Sequence, residues 1–94
     1  MTLTSTAGQT NLPRYFSAMF DMMQNMKRGR IDVILPDGRV FRAEGASVGY
    51  EATLEVHNPD LFARTVREGD MGFCEAYMDG WWSTPDLMAL MDLI

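Results

Sequence analysis

Apolar residues recur every three or four positions in the first third of the chain. They are Phe16, Met19, Phe20, Met23 and Met26. This spacing places them on one face of an amphipathic helix. Pro13 suits the first turn of such a helix, and Gly29 can adopt the left-handed conformation that ends it. The pattern therefore predicts a helix from Pro13 to Arg28, preceded by a polar, mobile leader over residues 1–12.

Two short runs, residues 30–35 and 39–44, flank the turn sequence Pro36-Asp37-Gly38. A three-residue loop with Gly in the left-handed position is typical of a hairpin. In the resulting register Val33 opposes Phe41 on an apolar face, while Asp32 opposes Arg42 on the other face as an ion pair. Residues 51–56 alternate in the same way and predict a third, half-buried strand.

The second half of the chain contains two helix-start signals. Asn58-Pro59-Asp60 predicts a helix of about two turns that ends near Gly69. A further helical turn over residues 73–78 and a short strand at Trp81-Trp82 follow. Ser83-Thr84-Pro85-Asp86 then starts a last helix that runs to Ile94 without a cap or a polar tail. Because monomeric proteins seldom leave such an apolar helix bare, we expect the chain to continue there or a partner to dock.

These elements predict one α+β domain over residues 13–94, in which helices pack on one face of a small antiparallel sheet. The chain is 47% hydrophobic, which excludes a disordered segment. Nine Met residues suit a surface that adapts to variable apolar partners, and gap-filling in an ordinary core is the alternative.

The net charge of −5 argues against nucleic acid as a partner, although a local basic patch is still available. Its members would be Lys27, Arg28, Arg30, Arg39 and Arg42.

Cys74 is the single cysteine, which fits a reducing compartment. With no signal-peptide pattern and no apolar run long enough to cross a bilayer, we predict a cytoplasmic protein whose membrane contact is peripheral, at the inner surface.

The residues that carry chemistry do not form a complete catalytic site. His57 is the single imidazole, so a triad or a metal site would depend on this one residue. Glu75 beside Cys74 works against a reactive thiolate. The run Gly69-Asp70-Met71-Gly72 lacks the spacing and the preceding strand of a dinucleotide loop. We therefore predict that this chain alone is not an enzyme and has no catalytic residue, metal or cofactor.

The block from Glu75 to Trp82 is the most distinctive part of the sequence. Two adjacent Trp residues after Gly80 point to opposite faces of a strand. One ring can fill the core, whereas the other needs a second apolar surface. That surface is either the C-terminal helix of this chain, or a lipid or neighbouring domain.

The run from Gly69 to Trp82, G-D-M-G-F-C-E-A-Y-M-D-G-W-W, resembles the N-terminal region of the cyclopropane-fatty-acyl-phospholipid synthase family, as does the turn Leu35–Arg39. The resemblance implies a small accessory domain that precedes a Rossmann-type catalytic domain. In the family, that domain uses S-adenosylmethionine and a bicarbonate base to modify phospholipid acyl chains, and here it would lie beyond Ile94. The layout is also similar to that of sterol-carrier-type lipid-binding domains.

The resemblance implies a non-catalytic module that presents lipid or docks on the catalytic domain. The implied partners are that catalytic domain, phospholipid acyl chains at a membrane surface, and a second copy in a homodimer. The candidate surface comprises Phe73, Tyr77, Met78, Trp81 and Trp82. Arg39 and Arg42 are candidates for headgroup contact. A stand-alone lipid carrier and a pure dimerisation or interaction domain are the alternatives.

Overall fold

The computed structural model describes residues 2–93, and the predicted helix end at Ile94 lies outside them. In chain order the elements are β1 (Thr2–Leu3), α1 (Phe16–Met23), β2 (Arg28–Ile34), β3 (Val40–Glu44), β4 (Ser47–Val56), α2 (Leu61–Met78), β5 (Trp82–Ser83) and α3 (Leu87–Leu93). The five strands form one sheet in the order β1-β3-β2-β4-β5. The predicted α+β class is confirmed.

The hairpin of β2 and β3 forms in the predicted register, because Val33 pairs with Phe41 and Asp32 with Arg42. Arg42 Nε lies 2.8 Å from Asp32 Oδ1, so the predicted cross-strand ion pair is also present. At the turn, Gly38 has a φ of 95°, and its N–H donates to the carbonyl of Leu35. Alternation and turn chemistry thus determined this part of the fold.

The sheet is mixed rather than antiparallel as predicted, because two of its neighbouring strand pairs are parallel. β2 and β4 run parallel, as do β1 and β3, while the other two neighbouring pairs are antiparallel. After β3 the chain does not turn back beside it. It crosses the start of β2 within two residues, Gly45 and Ala46, and enters the sheet on the other side of β2.

This crossing brings backbones into close contact at three glycines. A Cβ atom on Gly45 would lie 2.5 Å from the backbone N of Arg28, and one on Gly49 would lie 2.9 Å from the backbone N of Gly29. Gly29 itself has a φ of 83° and marks the irregularity in the β2–β4 register. The crossing therefore depends on the absence of side chains at Gly45 and Gly49.

One face of the sheet carries the core, and all three helices contribute to it. Ala52, Leu54 and Val56 point inward from β4, as their alternation predicts. The largest side chains that are almost completely buried are Trp82, Phe16, Phe20, Phe41, Phe62, Leu61 and Leu90. The opposite face is polar and holds the Arg42–Asp32 and Arg30–Glu51 ion pairs. Helices thus cover one face, and solvent meets the other.

Several element boundaries differ from the prediction. The first helix covers eight residues rather than the whole run from Pro13 to Arg28, since the backbone at Tyr15 is left-handed and β2 begins at Arg28. β1 lies inside the predicted leader, where a strand of two residues is too short to show a period. Arg39 also donates hydrogen bonds to the carbonyls of Thr10 and Asn11.

The predicted break near Gly69 is present as a kink inside α2. Gly69 has φ 70° and ψ −153°, which separates two helical segments. A Cβ atom on Gly72 would lie 2.5 Å from Cβ of Glu68, so the tight approach across the kink requires glycine there as well. In the part of the chain that the structure describes, no helix is both long enough and apolar enough to cross a bilayer.

Replacing Gly45 with Ala tests the crossing. We expect the Gly45→Ala variant to lose about 3 kcal/mol of unfolding free energy in urea denaturation, because the new methyl group meets backbone atoms that cannot move independently. The neighbouring, exposed change Ala46→Ser is the control and should stay within about 0.5 kcal/mol of the parent. Equal stability of the parent and both variants would contradict the crossing.

Candidate functional site

An apolar cleft of about 1080 Å³ opens beside the sheet. Its walls come from α1 and the turn after it, from the start of β4, and from α2 and α3. Four methionines line it: Met19, Met22, Met23 and Met26. Ile31, Leu54, Phe62, Phe73 and Leu90 form its apolar floor. We call this space the methionine cleft.

The methionine cleft was not predicted as a site. The signal available in the sequence was the number of methionines and the helical spacing of Met19, Met23 and Met26, for which an adaptable surface and an ordinary core were both open. In the structure these three side chains are half-buried and pack against the core, so they are neither a fully exposed surface nor part of a fully buried core. Met22, by contrast, is 73% exposed at the edge of the cleft.

Polar groups are few in the methionine cleft. Lys27 and Arg28 lie along its edge, and Asp70 is the acidic residue that lines it. Asn25 and Thr65 supply its neutral polar side chains. Thr65 Oγ1 donates to the carbonyl of Leu61 and is therefore satisfied within α2. A ligand with an apolar body and an anionic end would match this distribution.

The two adjacent Trp residues do separate into a core ring and a second ring. Trp82 is 1% exposed, and its indole N–H donates to the Phe73 carbonyl at 2.8 Å. Its ring stacks on Phe73, with centroids 4.4 Å apart, and tilts against Tyr77 at 4.7 Å. Trp82 thus joins β5 to the second half of α2. It is buried and does not form part of an accessible surface.

Trp81 is half-buried and lies beneath the guanidinium of Arg64, 4.7 Å from the ring centroid. Besides Glu68 at 3.6 Å in its own helix segment, Arg64 contacts two carboxylates of the second segment, Asp79 at 2.8 Å and Glu75 at 3.3 Å. The hydrogen bond to Asp79 raises the pKa of Arg64 above its ordinary value. Because Arg64 precedes the Gly69 kink and both carboxylates follow it, the side chain holds the two segments of α2 together.

The remaining residues of the predicted surface lie in different environments. Phe73 lines the methionine cleft and is partly buried. Tyr77 is 40% exposed and Met78 is 84% exposed. Met78 is therefore the most accessible of the five candidates, whereas Phe73 connects the Trp82 cluster with the cleft.

Both predicted headgroup residues already have partners. Arg39 binds Asp37 and two backbone carbonyls, and its hydrogen bonds hold the pKa of the Asp37 carboxyl below its ordinary value. Arg42 makes two contacts with Asp32, and that carboxylate raises the pKa of Arg42. In the described chain these two arginines stabilise the hairpin and its connection to residues 10–11.

His57 lies in a small polar chain on the open side of the sheet. Its Nε2 is 2.7 Å from Ser83 Oγ, and the Ser83 hydroxyl donates to Glu55 Oε2 at 3.0 Å. In a catalytic triad the carboxylate orients the imidazole, and the imidazole accepts the serine proton. Here the carboxylate contacts the serine instead. Across residues 2–93, no group of three or more metal-binding side chains is present either.

The glycine run from Gly69 to Gly72 lies within the kinked helix α2. A nucleotide loop requires a turn that connects a strand to a helix N-terminus, with backbone N–H groups facing the phosphates. These residues do not provide that arrangement. They do not fit S-adenosylmethionine, and we assign them no step in methyl transfer.

Segments of the chain are similar to two kinds of curated enzyme. The cyclopropane-fatty-acyl-phospholipid synthase of Escherichia coli is 55% identical over 31 residues, which cover 33% of this chain and 8% of the synthase. The tuberculostearic acid methyltransferase UfaA1 of Mycobacterium tuberculosis is 38% identical over 53 residues, which cover 55% of this chain and 12% of that enzyme. The resemblance to the cyclopropane synthase family is confirmed.

The matched segments therefore span only about a tenth of the length of these relatives. No family model and no solved structure matches it. The sterol-carrier-like layout accordingly stays a prediction. The substrates named for the synthase and the methyltransferase are the substrates of those two enzymes.

Substituting each Trp in turn separates their roles. We expect Trp82→Phe to lower the unfolding free energy by about 2–3 kcal/mol, because the smaller ring leaves a cavity and the Phe73 carbonyl loses its donor. Trp81→Phe keeps an aromatic ring beneath Arg64 and should cost less than about 1 kcal/mol. Urea denaturation checks both values, and the reverse order of effects would contradict the assignment of Trp82 to the core.

Proposed function

We propose that this chain is a non-catalytic, lipid-presenting module that works with a methyltransferase domain of the cyclopropane synthase type. The observation that supports this proposal is the methionine cleft. An open apolar volume of about 1080 Å³ is large for a domain of this size and lies at the upper end of the usual range for ligand sites.

The side chains of the cleft suit an acyl chain. Methionines are unbranched and flexible, so four of them can follow the bends of a long, unsaturated hydrocarbon. The floor is rigid by comparison, since Leu54, Phe62 and Leu90 belong to the buried core. The cleft thus combines a fixed base with an adaptable wall. An unsaturated acyl chain is the ligand class that we propose.

The similarity to a cyclopropane synthase and to a fatty acid methyltransferase supports the same ligand class. In the proposed arrangement the catalytic domain holds S-adenosylmethionine and bicarbonate, while this module contributes the acyl chain. Phe73 provides the physical connection, because it lines the cleft and stacks on Trp82. The exposed Tyr77 and Met78 lie on the same helix segment and are the candidates for contact with the catalytic domain.

A charge placed in the cleft tests this proposal. We expect the Met22→Glu variant to bind monomeric oleic acid about tenfold more weakly than the parent, because the carboxylate repels the fatty acid and must be desolvated when the chain enters. Native mass spectrometry and fluorescence displacement of a fatty acid probe measure the affinity.

Met71→Glu is the matched control, since Met71 is 71% exposed, Met22 is 73% exposed, and Met71 does not line the cleft. The control should bind oleic acid like the parent. Equal weakening in both variants, or the absence of oleic acid binding by the parent, would contradict the proposed use of the cleft.

The outer face of α3 favours docking as a second candidate function. Leu87 is 36% exposed, Met88 is 71% exposed and Met91 is 43% exposed, while Leu90 anchors the helix in the core. The spacing of the three exposed side chains places them on neighbouring positions of the helix surface. A second copy or the catalytic domain could pack there as an apolar seam.

Sedimentation over a range of concentrations tests this second candidate. If α3 forms a homodimer seam, the parent should dimerise, and Met88→Glu should shift it to monomer by placing like charges on both sides of the seam. Met78→Glu, on α2, is the control and should leave the oligomeric state unchanged. A strictly monomeric parent at high concentration would argue against the homodimer.

A further inference from the structure

Most of the positively charged side chains of this chain form ion pairs with acids, and a few do not. Within residues 2–93, five arginines form ion pairs with acids, namely Arg30, Arg39, Arg42, Arg64 and Arg67. Among the acids whose side chains the structure describes, none forms such a pair with Arg14, Lys27 or Arg28. Arg14 lies over the ring of Tyr15, 5.1 Å from its centroid. Lys27 and Arg28 are exposed neighbours on the edge of the methionine cleft.

This pair is unexpected in an acidic chain. The sequence holds 13 acids for eight cations, so most cations can find a partner, and most do. Two adjacent positive charges repel each other, and an anion from outside the chain removes that repulsion. The pair therefore points to an external anionic group at the cleft.

Large apolar side chains lie beside the two cations. Val48 is 97% exposed and Tyr50 is 59% exposed, and both line the cleft. The backbone keeps them close to the cations, because Ser47 pairs with Arg28, and the Ser47 N–H donates to the Lys27 carbonyl at 3.2 Å. Met22 extends the same edge. We call Met22, Lys27, Arg28, Val48 and Tyr50 the cleft rim.

A rim that combines exposed apolar tips with unpaired cations matches the interface of an anionic bilayer. Lys and Arg attract negatively charged headgroups, while apolar and aromatic side chains enter the boundary between headgroups and acyl chains. A protein partner with a dry interface would instead leave two cations to be desolvated. We propose that the cleft rim docks on an anionic phospholipid surface, with Lys27 and Arg28 at lipid phosphates and with Val48 and Tyr50 inserted.

This docking rests on the proposed function in one respect, because it turns the mouth of the methionine cleft toward the bilayer. An acyl chain could then enter the cleft without crossing water. The docking site is separate from the predicted surface at Tyr77 and Met78. It also differs from the predicted headgroup contacts, since Arg39 and Arg42 bind acids of this chain.

Co-sedimentation with phosphatidylglycerol vesicles at low ionic strength tests the proposal, with phosphatidylcholine vesicles as the neutral comparison. The parent should bind phosphatidylglycerol more tightly. The double variant Lys27→Gln/Arg28→Gln should bind it about fivefold more weakly for each cation lost, or roughly 25-fold in total. Circular dichroism verifies that each variant is folded, as expected for exposed side chains.

The control double variant is Arg14→Gln/Arg67→Gln. It has the same net charge as the Lys27→Gln/Arg28→Gln variant and leaves the cleft rim intact. It should bind phosphatidylglycerol within about twofold of the parent. Val48→Ser/Tyr50→Ser should weaken vesicle binding, because the two apolar tips that enter the bilayer are removed. Equal loss in both charge variants would overturn the proposal, because only the overall field would then matter.

Two further outcomes are decisive. Displacement from vesicles by millimolar inorganic phosphate, with the ionic strength held constant, would overturn bilayer docking in favour of a soluble-anion site. If the Lys27→Gln/Arg28→Gln variant binds oleic acid and vesicles as tightly as the parent does, the docking proposal is overturned and the proposed function is not. Absence of oleic acid binding by the parent, or equal weakening in Met22→Glu and Met71→Glu, would instead overturn the proposed function, so the two failures are distinguishable.

Discussion

The close backbone crossing at the start of β2 is the constraint on which the rest of the structure depends. It requires glycine at positions 45 and 49, where a methyl group would meet the backbone of Lys27, Arg28 or Gly29. Because the chain crosses there, β4 enters the sheet parallel to β2 and places Val48 and Tyr50 beside Lys27 and Arg28. The same crossing creates one wall of the methionine cleft. The same backbone crossing thus determines both the strand order of the sheet and the position of the candidate site.

The distinctive Trp pair serves mainly to join elements. Trp82 fixes β5 to α2 through its indole N–H, the stacked ring of Phe73 and the tilted ring of Tyr77, and Trp81 lies under an arginine that spans the kink in α2. The acids Glu75 and Asp79 are partners of that arginine. This cluster holds Phe73 against the cleft. In the function that we propose, the cluster contributes indirectly, through the shape of the cleft wall.

Local patterns predicted the hairpin, its register, the inward residues of β4 and the break at Gly69, because each depends on neighbours in sequence. They did not predict the crossing, since period-two alternation contains no information on strand order. The methionine cleft was missed for a related reason. Helical spacing predicts that Met19, Met23 and Met26 share a helix face, but α1 ends at Met23, and how completely the opposing elements cover these side chains is a tertiary property. The pairing of Arg39 with Asp37, likewise, requires the folded turn.

Our central claim is that the methionine cleft receives an acyl chain. Methyl-detected NMR of protein labelled with carbon-13 at the methionine methyl groups measures this directly during titration with oleic acid. We expect the signals of Met19, Met22, Met23 and Met26 to shift together and saturate, while those of Met71 and Met88 stay unchanged. Shifts at Met78 without shifts at the four cleft methionines would contradict it and would transfer the lipid site to the outer surface of α2.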